Sequence, residues 1–190
     1  TPVEVSHLKS IGKANWRSCT PEMLRLMAEA RQEGVRIACD VYPYTAGSTQ
    51  LVHVLPPETQ QGGMEALTEH LADPAFRETL KARMLTGSDF ENISLLAGFE
   101  NIVVSSVRLD RLRQYEGQSI AQIAGQQGKD PFTCLFDLLH AAHCDVTMID
   151  FIAAEDDICD ILRDAHSCVI SDSTYPTTGM LHPRVYGTYT

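Results

Sequence analysis

Apolar and polar residues alternate at the start of the chain, with Val3 and Val5 set between Glu4, Ser6 and their polar neighbours. This is the period-two pattern of a short half-buried strand, and it runs into His7 and Lys9. A strand continued through Lys9 puts His7 and Lys9 on one face, two residues apart. A polar, glycine-containing loop follows, and Thr20-Pro21-Glu22 then reads as a helix start, with Thr20 as N-cap and Pro21 at the first position. Leu24, Met27, Ala28 and Ala30 supply an apolar helical stripe that Gly34 closes. The run 35–39 is a second strand. Strand, helix and strand in about 40 residues make a βαβ unit, which implies a parallel sheet and a right-handed crossover.

The second strand ends on Asp40-Val41-Tyr42-Pro43-Tyr44, where Pro43 disfavours helix for Tyr42 and predicts a strand exit or loop. From residue 52 the rhythm breaks. Pro56-Pro57 and Gly62-Gly63 mark a loop, helices are expected over 64–71 and 74–84, a strand over 102–107 and a short helix over 119–127. This stretch reads as a lobe inserted between barrel-like βα units. The regular pattern returns at Asp130, an N-cap before an apolar helix. Strands at 146–149 and 168–172 flank a helix over 154–163, whose first turn carries Glu155, Asp156 and Asp157 in favour of the helix dipole. The expected division is therefore 1–51 for a barrel βαβ segment, 52–129 for the inserted lobe and 130–190 for the final barrel units and a loop.

Composition narrows the classes of function. A formal charge of -10 with scattered positive residues excludes the basic stripe of a nucleic-acid footprint. No apolar run approaches the ~18 residues that cross a membrane, and nothing resembles a signal peptide. Six cysteines without a CxxC pair point to reduced thiols and a cytoplasmic setting.

Strands that repeatedly end in His, Lys, Tyr or Asp are the habit of a (β/α)8 barrel's catalytic face. The motifs are Ser-His-Leu-Lys at 6–9, Asn-Trp at 15–16, and Asp-x-Tyr-Pro-Tyr-x-Ala-Gly-Ser-Thr at 40–49. They continue with Ser-Asp at 171–172 and His-Pro-Arg-x-Tyr-Gly-Thr at 182–188. In this order they resemble the N-acyl-D-amino-acid deacylases, the D-aminoacylases of the amidohydrolase superfamily. The resemblance implies an α/β fold, a partial (β/α)8 barrel of late strands carrying an inserted small α/β lobe. It also implies zinc-dependent hydrolysis of the amide bond of N-acyl-D-amino acids, small molecules that yield a carboxylate and a free D-amino acid. It makes His7 a zinc ligand and Lys9 the cation for the substrate's carboxylate. Tyr42 becomes the phenol that polarises the carbonyl, with Tyr44 a possible substitute. Asp172 becomes the carboxylate that takes a proton from the attacking water and passes it to the leaving amine, and with His7 a metal ligand, and Arg184 becomes a second anion contact. The chemistry suits these residue types, because zinc lowers the pKa of bound water to about 7 and the developing oxyanion needs a donor.

The family's early-barrel His-x-His pair, its early-strand Cys ligand and a further barrel histidine are absent from these 190 residues, and Arg17 and Ser173 stand where glycine is usual. A full barrel takes about 250 residues. The chain begins inside a strand-like run and ends without a closing element, so it reads as an internal piece of a longer enzyme, weak in zinc affinity and inactive alone. Open sheet edges make self-association an expectation. The alternative is a non-catalytic α/β structural or interaction module with an incomplete metal site.

Overall fold

The computed structural model describes residues 1–174 and 179–188. The chain is α/β and forms two compact units. One holds Thr1–Gly47 with the stretches that begin at Ile152 and at His182, and the other is built on Ser48–Phe151.

In the first unit, β1 (Val3–Val5), β2 (Ile37–Val41) and β6 (Ser167–Val169) form a parallel sheet in the order β1-β2-β6. Helix α1 (Cys19–Gln32) is the crossover between β1 and β2, and α7 (Glu155–Arg163) leads into β6. Leu8, Met27, Cys39, Val41, Ile158 and Ile161 bury one cluster, with Val5, Met23, Leu24 and Ile37 packed against it. Alternation explains the membership. Ile37, Cys39 and Val41 share one face of β2, and Asp40 and Ala38 take the other.

The second unit contains β3 (Ala46–Gln50, which starts at the boundary), β4 (Ile102–Val107) and β5 (Val146–Phe151), in the order β3-β5-β4. Its helices are α2 (Gly63–His70), α3 (Pro74–Thr86), α4 (Ile93–Leu96), α5 (Ile120–Gln127) and α6 (Pro131–Ala141). Side chains cap several of their starts. Asp130 accepts from the N–H groups of Phe132 and Thr133, and Ser119 and Gln122 close a reciprocal capping box.

Several elements differ from the sequence pattern, each for a local reason. Strand β1 stops at Val5, because His7 adopts a left-handed φ of 42° that no strand tolerates. Helix α1 starts at Cys19 rather than beyond Thr20, since the Asn15 carbonyl already accepts the N–H groups of Ser18 and Cys19. Strand β6 ends at Val169, so Asp172 lies past it with φ 48°. The short strand β3 falls where the sequence pattern predicts a strand exit or loop, because Gly47, Ser48 and Thr49 carry no apolar alternation. Strand β5 is where the apolar run predicts it, but it pairs antiparallel with β4 in the second sheet rather than joining β1, β2 and β6. Periodicity locates a strand and does not choose its neighbour.

All six cysteines are free thiols. Cys39, Cys134 and Cys144 are buried and Cys168 is exposed. Among the described residues no helix is long and apolar enough to cross a membrane.

Candidate active site

The site candidates cluster beyond the carboxyl ends of β1, β2 and β6, all within the first unit. Asp40, near the end of β2, organises the exit of β1. Its carboxylate accepts from the His7 backbone N–H and, at 3.3 Å, from the Ser6 hydroxyl, while its carbonyl accepts from Leu8 N–H at 2.8 Å. A buried acid between Cys39 and Val41 is costly unless it is hydrogen-bonded in this way. The bonds hold His7 in its left-handed conformation, which a β-like continuation would not reach.

That turn folds Lys9 back onto His7. Lys9 Nζ donates to the His7 carbonyl oxygen at 2.8 Å and lies 2.9 Å from His7 Nδ1. It also stands 5.0 Å from the centroid of the Tyr42 ring, and the Arg184 guanidinium lies 5.5 Å from the same centroid. Arg184 then donates to Asp172 Oδ2 at 2.9 Å, with 4% of its side chain exposed against 40% for Asp172. Tyr42 is buried between strand end and loop. Tyr44 is half-buried, donates its hydroxyl to the Gly187 carbonyl at 3.4 Å and meets the His182 ring edge-on at 5.0 Å. The six sequence candidates thus form one chain of contacts: His7 to Lys9, Lys9 to Tyr42, Tyr42 to Arg184, Arg184 to Asp172, with Tyr44 joined through His182.

Two residues of this arrangement escaped the sequence reading as site residues. Asp40 stood at the head of the Asp-x-Tyr-Pro-Tyr run with no role assigned to it. His182 stood in the His-Pro-Arg run, two residues before Arg184, which is the spacing of a side chain capping its own turn. The loop that carries Asn15 and Trp16 is held in place as well. The Trp16 indole N–H donates to the Ile152 carbonyl at 2.9 Å, and Arg17 N–H donates to the Asp157 carboxylate at 3.0 Å. Arg17 has φ 62°, in the left-handed region that glycine enters without steric cost.

The arrangement does not suit zinc by itself. A catalytic zinc takes three protein ligands, and among the described residues no group of three His, Cys, Asp or Glu side chains is placed to hold a metal ion. An ammonium has no lone pair, so beside Lys9 Nζ a neutral His7 accepts at Nδ1 and keeps its proton on Nε2. What the cluster does present is a buried phenol flanked by two cations, with a carboxylate paired to one of them.

The sequence matches no known protein family and no curated protein. Solved structures are more informative. The N-acyl-D-glutamate deacylase of Bordetella bronchiseptica, determined with zinc and a phosphonate mimic of the tetrahedral intermediate, matches with a TM-score of 0.62 and 22% identity over 98% of this chain. The fold is shared with D-aminoacylases. Two structures of D-aminoacylase itself match with TM-scores of 0.61 and 23% identity over 99% of this chain, one of them described by the role of its binuclear metal centre. In each case the match covers 29% of the other protein, so the chain spans under a third of the length of these D-aminoacylase-like structures.

Proposed function

We propose that these residues form the substrate-holding part of an enzyme that hydrolyses the amide bond of N-acyl-D-amino acids. The observation that carries the reading is the convergence of Lys9 and Arg184 on the Tyr42 ring, at 5.0 Å and 5.5 Å. Two cations over one buried phenol suit a ligand that carries a carboxylate next to a polarisable carbonyl. In this reading Lys9 and Arg184 hold the α-carboxylate, and the Tyr42 hydroxyl donates to the acyl oxygen as charge develops on it. Asp172 receives the proton released by the attacking water and passes it to the leaving amine. The partial (β/α)8 barrel belongs to the same reading, with β1, β2 and β6 as late strands. So does zinc, for which His7 and Asp172 supply too few donors and the others lie outside these 190 residues. The exposed edge-strand residues Val3 and Val169 support pairing of this sheet with further strands or with a second copy.

The test is a titration of the chain with N-acetyl-D-amino acids and with their carboxamides, followed by nuclear magnetic resonance. The expected result is saturable shifts at Lys9, Tyr42 and Arg184 from the carboxylates alone, weakened about tenfold by Lys9→Met, as befits one charge-assisted bond. Equal shifts from the carboxamides, or none at these residues, would sink the reading. In the presence of zinc the chain is expected to release no free amino acid, because the metal set is incomplete. Clear zinc-dependent turnover would overturn that part.

A second reading, a non-catalytic α/β module, draws on the absence of a three-donor cluster among the described residues. It predicts no carboxylate-dependent binding in the same titration.

A further inference from the structure

His182 is 3% exposed and lies among groups that leave its ring one protonation state. Nε2 is 2.9 Å from the Ala46 carbonyl oxygen, which can only accept, so Nε2 carries a proton. Nδ1 is 3.1 Å from the Arg184 backbone nitrogen, which can only donate, so Nδ1 is bare. The ring is therefore neutral and in a single tautomer. A second proton would set two donors against each other at Nδ1, and burial holds this imidazole below its ordinary value in the same sense. The edge-on Tyr44 ring, at 87° to the imidazole plane, fixes the remaining rotation.

We propose that His182 is the positioning residue for Arg184, acting as an imidazole N-cap whose two nitrogens tie the guanidinium-bearing turn to the Ala46 backbone. His182 begins the short 3-10 turn Pro183–Tyr186, and Pro183 has no N–H, so the Arg184 N–H is the first donor the turn must satisfy. A serine or aspartate is the usual solution. Histidine adds a second attachment through Nε2, which a short cap cannot reach. The consequence is an Arg184 side chain delivered to Asp172 and Tyr42 with 4% exposure, although its turn has only four residues. The value of this device rests on Arg184 being the anion contact proposed above, but the device itself can be read without any ligand.

The two attachments separate by mutation. In His182→Asn the side-chain oxygen occupies the place of Nδ1 and keeps the cap while losing Ala46. In His182→Gln the amide nitrogen replaces Nε2 and keeps Ala46 while losing the cap. Long-range proton–nitrogen spectra of the wild-type chain at pH 7 should show His182 as the Nε2-protonated neutral tautomer. The Arg184 Nη–H resonance, held from solvent exchange by the Asp172 pair, should persist in wild type and in His182→Asn and vanish in His182→Gln and His182→Ala. Affinity for N-acetyl-D-amino acids should stay within about threefold in His182→Asn and fall about fivefold to tenfold in the other two, the fold-change of losing one capping bond. A charged or Nδ1-protonated His182 would overturn the proposal. So would an Arg184 signal that survives in His182→Gln or is lost equally in His182→Asn. If Arg184→Met binds ligand like wild type, the anion site fails, while the tautomer and the Arg184 resonance still decide the role of His182.

Discussion

The largest fully buried side chains, Phe136, Leu135, Leu139, Met84, Ile102 and Met148 among them, all lie in the second unit. The first unit has a smaller cluster around Met27, Val41, Ile158 and Ile161, and leaves Val3 and Val169 on its edge strands 45% and 39% exposed. Yet every candidate for chemistry is in the first unit, where two non-glycine residues at strand exits, His7 and Asp172, hold left-handed conformations. The second unit is organised by apolar burial and well-formed caps. The first relies more on polar bonds at its strand exits and turns, as where Asp40 holds the left-handed His7 and His182 joins its turn to Ala46, while the second has its left-handed pair at His143 and Cys144, ahead of β5. Strain of this kind persists only where surrounding bonds over-determine it, and it gathers at functional sites.

The comparison breaks first where the apolar contribution is greatest. Phe136→Ala should cost about 3–5 kcal/mol in urea unfolding, since the ring is fully buried on α6 against Phe132. A cost below about 1 kcal/mol would mean that the second unit does not depend on that core. Asp40→Ala should cost less, about 1–3 kcal/mol, by leaving the His7 N–H without its acceptor. The sharper readout is local. Amide exchange should accelerate at His7 and Leu8 and stay unchanged in α6, and a uniform acceleration would contradict a clamp confined to β1.

Acid should separate the units by smaller, directional effects. His182 titrates below its ordinary 6.5 because burial opposes its charge, so its contribution is present above that value and fades as pH falls past it. For Asp137 burial works to raise the carboxyl, but Lys129 and Arg77 outweigh it and hold it below 3.8. Its contribution is therefore present above 3.8 and is lost only below. Hydrogen exchange followed from pH 7 to 4 should loosen the Ala46 and Arg184 amides before those of α6. Loosening in the reverse order would refute the assignment.

Much of the second unit was legible because its signals are local. The helices expected over 74–84 and 119–127 and the Asp130 N-cap are found close to where the sequence pattern puts them, and the structure adds caps at Asp73 and Ser119. The first unit was legible as a βαβ pattern but not in its endings. A strand reading carried His7 and Lys9 onto one face by alternation, whereas they meet through a left-handed turn that Asp40 holds from 33 residues away. Arg17 was visible as a departure from glycine, but its φ of 62° and the Asp157 carboxylate that accepts its N–H were not.

By itself the sequence determined the places of most helices, the Asp130 cap, the parallel β1-α1-β2 unit and the candidate site residues. These follow from short-range periodicity, capping and composition, which each segment carries alone. Only the tertiary structure decided that β5 pairs with β4, that Lys9 and Arg184 share the Tyr42 ring, and that the His182 ring meets the Ala46 carbonyl, 136 residues away. Those outcomes depend on which distant backbone groups satisfy a buried donor or acceptor, and no local pattern records that choice.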